Sequence, residues 1–246
     1  MHHVSMMFAT TRRILGQLAH DHRTIALMLV VPSILISLLW WVYSDNERVF
    51  NSVGPAMLGV FPFVVMFLVT SITTLRERVS GTLERLMAMP IGKLDIVMGY
   101  ALAFSIFGIL QSLLTSSVAI YLLGLDVAGP QWFVVLVALA DTLLGVALGL
   151  LVSAFARTEF QAVQFMPALV IPQILVCGLL VPLEKLPDLL EAIAYWLPLT
   201  YAVDALNRVV TEADLSSEAW WSVAVVGMFV VGSILLGALT LRRQSN

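Results

Sequence analysis

The sequence predicts an all-α polytopic membrane protein with six transmembrane helices, an interfacial helix at its N-terminus, a helix in a cytoplasmic loop and an outer helical hairpin. Three observations carry that prediction. The 246 residues are 60% hydrophobic and 12% charged, with a mean hydropathy of +0.96, whereas about a quarter of a soluble domain is charged. The apolar residues gather into six runs long enough to cross a bilayer, which takes about 20 residues each. Finally, the lysines and arginines fall almost wholly into alternate inter-run segments, as they do when such segments face the cytoplasm.

In chain order, the first element is a helix over 1–23. Met7, Thr11, Ile14, Leu15, Leu18 and His22 recur at helical spacing with Arg12 and Arg13 on the other side, the pattern of a helix lying on the membrane with its arginines at the headgroups. Spans follow at 24–44, 56–75, 96–123, 131–155, 162–181 and 219–241. The first is too long for a signal-peptide core and ends in the interface-loving "WWVYS" of Trp40 to Ser44. Gly145 and Gly149 in the fourth span, Pro167 and Pro172 in the fifth, and Gly227, Gly232, Ser233 and Gly237 in the sixth suit a packed bundle with kinks. They point to no activity of their own.

Six crossings put both termini on one side. Arg12, Arg13, Arg23, Arg76, Arg78, Arg85, Lys93, Arg157, Arg242 and Arg243 share that side, against Arg48, Lys185 and Arg208 on the other, so the termini and the 76–95 loop are cytoplasmic. The whole is read as a single transmembrane domain, 1–246, in a bacterial-type inner membrane among its lipids.

The loop "RERVSGTLERLMAMPIGKLD" concentrates charge in a chain that otherwise avoids it. Gly81 is placed to cap a short helix that starts at Thr82 and carries Glu84 at its third position; Leu83, Leu86 and Met87 share one face, and Pro90 ends the run. Glu77, Glu84 and Arg85 lie off that face. Such a helix either rests on the lipid surface or offers its apolar ridge to another protein. On the outer side, Pro182, Pro187 and Pro198 cut 182–211 into pieces too short to cross a bilayer. Leu186, Leu189, Leu190, Ile193 and Leu197 form one apolar stripe, and Tyr201, Ala205 and Val209 another, so two short helices dip into or lie at the outer leaflet. They either close the outer mouth of a pathway, with Trp196 and Tyr201 at the turn, or pad the fold.

Asp141 lies deep in the fourth span, where a charge costs about 2.5 to 3.5 kcal/mol on insertion scales. It reads as a structural carboxyl bonded to Gln111, Ser112, Thr115, Gln164 or Gln173, as a proton carrier, or as a polar cargo contact. Enzyme chemistry is thin: there is no H-E-x-x-H and no G-x-S-x-G. Gly92 and Lys93 have neither the preceding glycine nor the following Ser/Thr of a phosphate loop. Cys177 is the lone cysteine, and His20, Asp21 and His22 point in different directions on a helix, so no metal site is expected.

"RERVSGTLERLMAMPIGKLDIVMGYAL" together with "VPLEKLPDLLEAIAYWLPLTYAVDALNRVV" resembles the ABC-2 type permeases, especially the drug-exporter branch similar to the daunorubicin resistance permease. The likeness runs over nearly the whole chain. "HDHR" departs from the basic-Asp-Pro pattern of many relatives. The resemblance implies a permease subunit that carries an amphipathic, drug-like or lipid-like substrate outward, pairs with a second permease subunit, and sits on two copies of an ATP-binding subunit. ATP and Mg would be bound by that partner and no cofactor by this chain, and nucleic acid plays no part. By the same resemblance, 1–23 is a connecting helix, 82–88 a coupling helix and 182–211 a re-entrant hairpin. Glu77, Arg78, Glu84 and Arg85 would orient the ATPase contact and Leu83, Leu86 and Met87 would anchor it. Alternative readings are a permease for polysaccharide or lipid-linked glycan, a proton-coupled carrier built on Asp141, and a scaffold that transports nothing.

Overall fold

The computed structural model describes residues 2–88 and 91–240, with the side chains of His2, His3 and Glu84 left aside. Pro90, Arg242 and Arg243 therefore lie outside the described residues. The elements are α1 His2–His20, α2 His22–Val42, α3 Glu47–Val79, α4 Thr82–Ala88, α5 Lys93–Ser117 with a π-helical turn Val118–Leu122, α6 Gln131–Ser153, α7 Glu159–Val176, a 3-10 turn Leu183–Lys185, α8 Asp188–Ala194, α9 Pro198–Thr211 and α10 Ser217–Thr240. Six of them, α2, α3, α5 with its π turn, α6, α7 and α10, are long and apolar enough to span a membrane.

Local chemistry sets the boundaries. Asp21 breaks the chain between α1 and α2, accepting hydrogen bonds from the Thr24 N–H at 3.1 Å and the Thr24 hydroxyl at 2.6 Å. These bonds hold its carboxyl below the ordinary carboxylate range. Gly81 has φ +74, a left-handed turn that side chains resist, and its carbonyl accepts the first α4 bond from Arg85 N at 3.1 Å.

α3 is 33 residues long, so at about 1.5 Å per residue it reaches roughly 50 Å and overshoots a hydrocarbon layer of about 30 Å. Pro55 and Pro62 sit inside it without ending it, because neighbouring helices support the backbone. It packs most extensively against α6. Gly149 allows the close approach: a Cβ there would lie 2.7 Å from the Phe67 carbonyl oxygen, and one on Gly145 would strike the Phe63 carbonyl. The G-x-x-x-G pair therefore serves the α3–α6 seam. By contrast α2 and α7 are peripheral and leave Leu27, Ile34 and Leu38, and Phe160, Leu169 and Leu175, exposed as lipid-facing helices do.

The hairpin at 182–211 differs from two helices lying alike at the interface. α8 and α9 are bent by 87° at their break. α8 exposes Leu189 and Ile193, and the following Trp196 is 80% exposed, while α9 buries Leu199, Ala202, Val203, Ala205, Leu206 and Val209 against α3, α6 and α10. Only the first apolar stripe is a surface stripe; the second is core.

Candidate functional site

The charged loop ends α3 and leads into α4, and the structure sends its R-E-R triplet to four different helices. Arg76 makes a bidentate pair with Glu159 of α7, Nε to Oε1 at 2.7 Å and Nη2 to Oε2 at 2.9 Å. Arg78 donates to the Ser153 carbonyl at the C-terminus of α6, where helical carbonyls lack internal partners. Glu77 turns toward α1 and α5: its Oε2 accepts from Arg13 Nη2 at 2.8 Å and, in a short contact, from the Tyr100 hydroxyl. Arg13 Nη2 also donates to that hydroxyl at 2.9 Å, and its guanidinium lies 5.8 Å from the Tyr100 ring centroid. With its amide nitrogen facing Glu77, Gln17 donates to Oε1 at 2.7 Å. Burial disfavours the Arg13 cation, but the Glu77 hydrogen bond and the nearby charges outweigh it and hold the guanidinium above its ordinary range.

These contacts correct the sequence reading at four places. Glu77, expected to orient an ATPase contact, is turned into the bundle at the end of α3, and its side chain is only 12% exposed. Arg78 is turned inward as well. Arg13 does not sit with Arg12 among headgroups but closes the network. Leu83, Leu86 and Met87 are buried in this chain's own core beside Ile14, Ile96 and Tyr100, so they hold α4 to the bundle and form no outward ridge. Among the described side chains of α4, Arg85 and Ala88 are exposed and Thr82 half-exposed.

α1 closes the joint from the side. A Cβ on Gly99 of α5 would sit 2.6 Å from Thr10 Cβ, and the Thr11 hydroxyl donates to the Gly99 carbonyl at 3.2 Å. With no side chain at Gly99, α1 can lie directly on α5. The amphipathic N-terminal helix is docked on protein as well as suited to an interface.

At the far end of the bundle, α8 and α9 are stapled across their break: the Thr200 hydroxyl donates to the Ala194 carbonyl and the Tyr201 hydroxyl to the Tyr195 carbonyl, each at 2.8 Å. Pro187 precedes α8, Pro198 opens α9 and Pro182 precedes the 3-10 turn, so each proline sits where no helical N–H is needed. Sequence reasoning missed the anchor of α9. Arg208 Nε is 3.0 Å from both Asp204 oxygens, Nη1 reaches Glu218 at 2.7 Å and Glu212 at 3.4 Å, and the Ser222 hydroxyl donates to Asp204 at 2.8 Å. The spacing of Asp204, Arg208 and Glu212 at i, i+4 was its legible signal.

Asp141 is 0% exposed in α6 and lies against Gly59 of α3; a Cβ on Gly59 would come within 2.7 Å of Oδ2 and 2.9 Å of Leu206 Cδ1. Among the described residues neither carboxyl oxygen has a hydrogen-bond partner. None of the five expected partners reaches it. Ser112 pairs with Thr142 at 2.9 Å, Thr115 with Ser33 at 3.4 Å, and Gln173 donates to Leu169 O at 2.9 Å. Gln111 is buried without a partner, and Gln164 is exposed.

With this geometry in place, comparison with known proteins decides the family. The ABC-2 type transporter family profile matches residues 6–210. The chain belongs to the ABC-2 type transporter family. It is similar to ABC transporter G family member 20 of Dictyostelium discoideum, 26% identical over 83% of this chain and 28% of that protein. It is likewise similar to the probable multidrug ABC transporter permease YbhS of Escherichia coli K12, 26% identical over 65% of this chain and 43% of that protein. A third relative is the linearmycin resistance permease protein LnrN of Bacillus subtilis 168, 29% identical over 57% of this chain and 36% of that protein. The chain spans less than half the length of these relatives. For an ABC-2 family chain, the short α4 between the second and third spans and the bent α8–α9 pair between the fifth and sixth stand where the resemblance implied them.

Proposed function

We propose that this chain is the membrane-spanning permease subunit of an ATP-driven exporter, with α4 as the face that receives a separate ATP-binding subunit. What carries the reading is the rooting of α4. Its apolar side is buried in the bundle, and the R-E-R triplet one turn before it is tied to α1, α5, α6 and α7, so force applied at Arg85 and Thr82 reaches five helices through short polar contacts. A helix merely floating on lipid has no need of that joint.

The resemblance supplies the rest of the proposal. Two ATP-binding subunits, holding ATP and Mg, act beneath a pair of permease subunits, two copies of this chain being the simplest case. The termini and α4 face the cytoplasm of a bacterial-type inner membrane. ATP binding in the partners shifts the pair between inward- and outward-facing arrangements. The multidrug and resistance-permease names of two relatives support a hydrophobic or amphipathic cargo. Trp196 and Tyr201 at the α8–α9 bend, with Pro182, Pro187 and Pro198, form the outer gate.

The test is co-purification from native membranes with a P-loop ATPase. Arg85→Glu reverses the charge on the exposed α4 face while leaving the core untouched, and is expected to lose the ATPase and its cargo-stimulated hydrolysis with insertion unchanged. A well-folded wild-type chain that carries no ATPase would sink the reading.

A further inference from the structure

At the end of the bundle opposite α4, the first turns of α3, the loop after α7 and the last turns of α9 enclose a cavity of about 330 Å³. That lies at the small end of the ligand-site range, roughly 300 to 1,000 Å³. Its polar wall consists of Asn51, Ser52, Asn207 and Thr211, and its apolar wall includes Pro55 and Val210. Gly178, at φ +89, forms the turn that shapes the loop side, a conformation in which any side chain would be strained.

The polar wall is two carboxamides and two hydroxyls, groups that both donate and accept while carrying no charge. No charged side chain is among the residues that line it. Arg208, one residue after Asn207, is satisfied by Asp204, Glu212 and Glu218. Asn51 Oδ1 accepts from the Asp126 N–H at 3.2 Å, which fixes that side chain at the rim, and the Thr211 hydroxyl donates to the Asn207 carbonyl at 2.8 Å and keeps its lone pairs. A phosphate, carboxylate or ammonium would be partly desolvated here with no charged side chain in the lining to offset the loss. A purely apolar tail would cover two amides and two hydroxyls without replacing their water. A neutral sugar ring answers both conditions: its hydroxyls match the amides and hydroxyls, and its C–H face lies on Pro55 and Val210.

We propose that this cavity binds a neutral, polyhydroxylated group of one or two sugar rings. The group comes either from a free saccharide or from the headgroup of a glycolipid. The site is formed within one chain, so it stands independently of the export reading and is assayed without an ATPase.

The experiment places the chain in phosphatidylcholine nanodiscs and follows octyl glucoside binding by native mass spectrometry, below the detergent's micelle concentration. The expected result is saturable binding that octyl phosphocholine does not displace. Ser52→Trp, which fills the hollow from an exposed rim position, weakens it at least tenfold, and Asn207→Leu weakens it in the same direction. Competition by glucose in the same concentration range identifies a free sugar as the ligand; inert glucose with bound octyl glucoside identifies the lipid-linked form. Displacement by octyl phosphocholine as effective as by unlabelled glucoside overturns the proposal. So does unchanged binding in both variants with normal size-exclusion profiles, which would show general detergent partitioning.

Discussion

Glu77, partly buried, and Asp141, fully buried, are acids of the same bundle, and the chain treats them in opposite ways. Glu77, near the α4 end, receives a guanidinium, a phenol and an amide from α1 and α5. Asp141, mid-span in α6, lies against the bare backbone of Gly59 and receives no donor among the described residues. The difference teaches where polarity is structural in this protein. At the α4 end long side chains can reach in from the interfacial helix and satisfy a carboxylate. In the middle of the bundle the neighbouring surfaces are spent on close helix contact, and the carboxyl is tolerated rather than used for adhesion.

The largest expected effect comes from breaking the satisfied site. Glu77→Leu strands Arg13 beside Tyr100. Breaking a fully buried pair costs about 3 to 5 kcal/mol, and with Arg13 28% exposed a discounted loss of about 2 to 3 kcal/mol is expected. It is read as earlier unfolding in SDS titration from mixed micelles. Adding Arg13→Leu should recover part of that loss, and strict additivity of the two substitutions would show that the pair is not coupled.

Next in size is crowding at the other acid. Gly59→Ala puts a methyl 2.7 Å from Asp141 Oδ2 and 2.9 Å from Leu206 Cδ1, an overpacking cost of about 1 to 3 kcal/mol. Since part of the clash is with the carboxyl group, Asp141→Ala in the same chain should relieve part of it. A Gly59→Ala loss that is the same with and without Asp141 would contradict the contact.

A direct comparison of the two acids follows from isosteric changes. Asp141→Asn removes no hydrogen bond and is expected to shift stability by less than about 1 kcal/mol, whereas Glu77→Gln loses an ionic one worth about 1.5 to 3 kcal/mol. Equal losses in the two variants would erase the contrast drawn here. Smallest of all is Arg76→Ala. Its bond to Glu159 joins side chains 60% and 52% exposed, so its removal should cost under about 1 kcal/mol and nothing measurable at high salt.

The sequence showed more of the scaffold than of the contacts. The six spans are visible because a bilayer demands long apolar runs, and the α4 helix because Gly81 and the 83/86/87 spacing are local signals. The roles within the loop were not visible. Periodicity shows that Leu83, Leu86 and Met87 share a face, yet says nothing about whether that face meets a partner or the chain's own core. For the same reason Leu86→Asp, the obvious probe from sequence, would disturb packing, and Arg85 is the cleaner position. Arg13 looked like a headgroup anchor because its acceptor lies 64 residues away. α9 looked interfacial because prolines made it short, although its apolar stripe is as buried as that of a long span.

By itself the sequence determined the membrane architecture, the number and approximate limits of the spans, the breaks at Gly81 and Pro198, and the family likeness carried by its loop and hairpin motifs. Those features depend on composition, on spacing within one helix, or on backbone preferences of single residues, all of which are local. Only the tertiary structure decided that Glu77 and Arg78 are internal ties, that α9 is core while α8 is not, that Asp141 is unpartnered, and that a neutral cavity lies between Asn51 and Asn207. Each of these is a meeting of segments dozens of residues apart, fixed by how closely glycine-faced helices pack, and no local pattern encodes it.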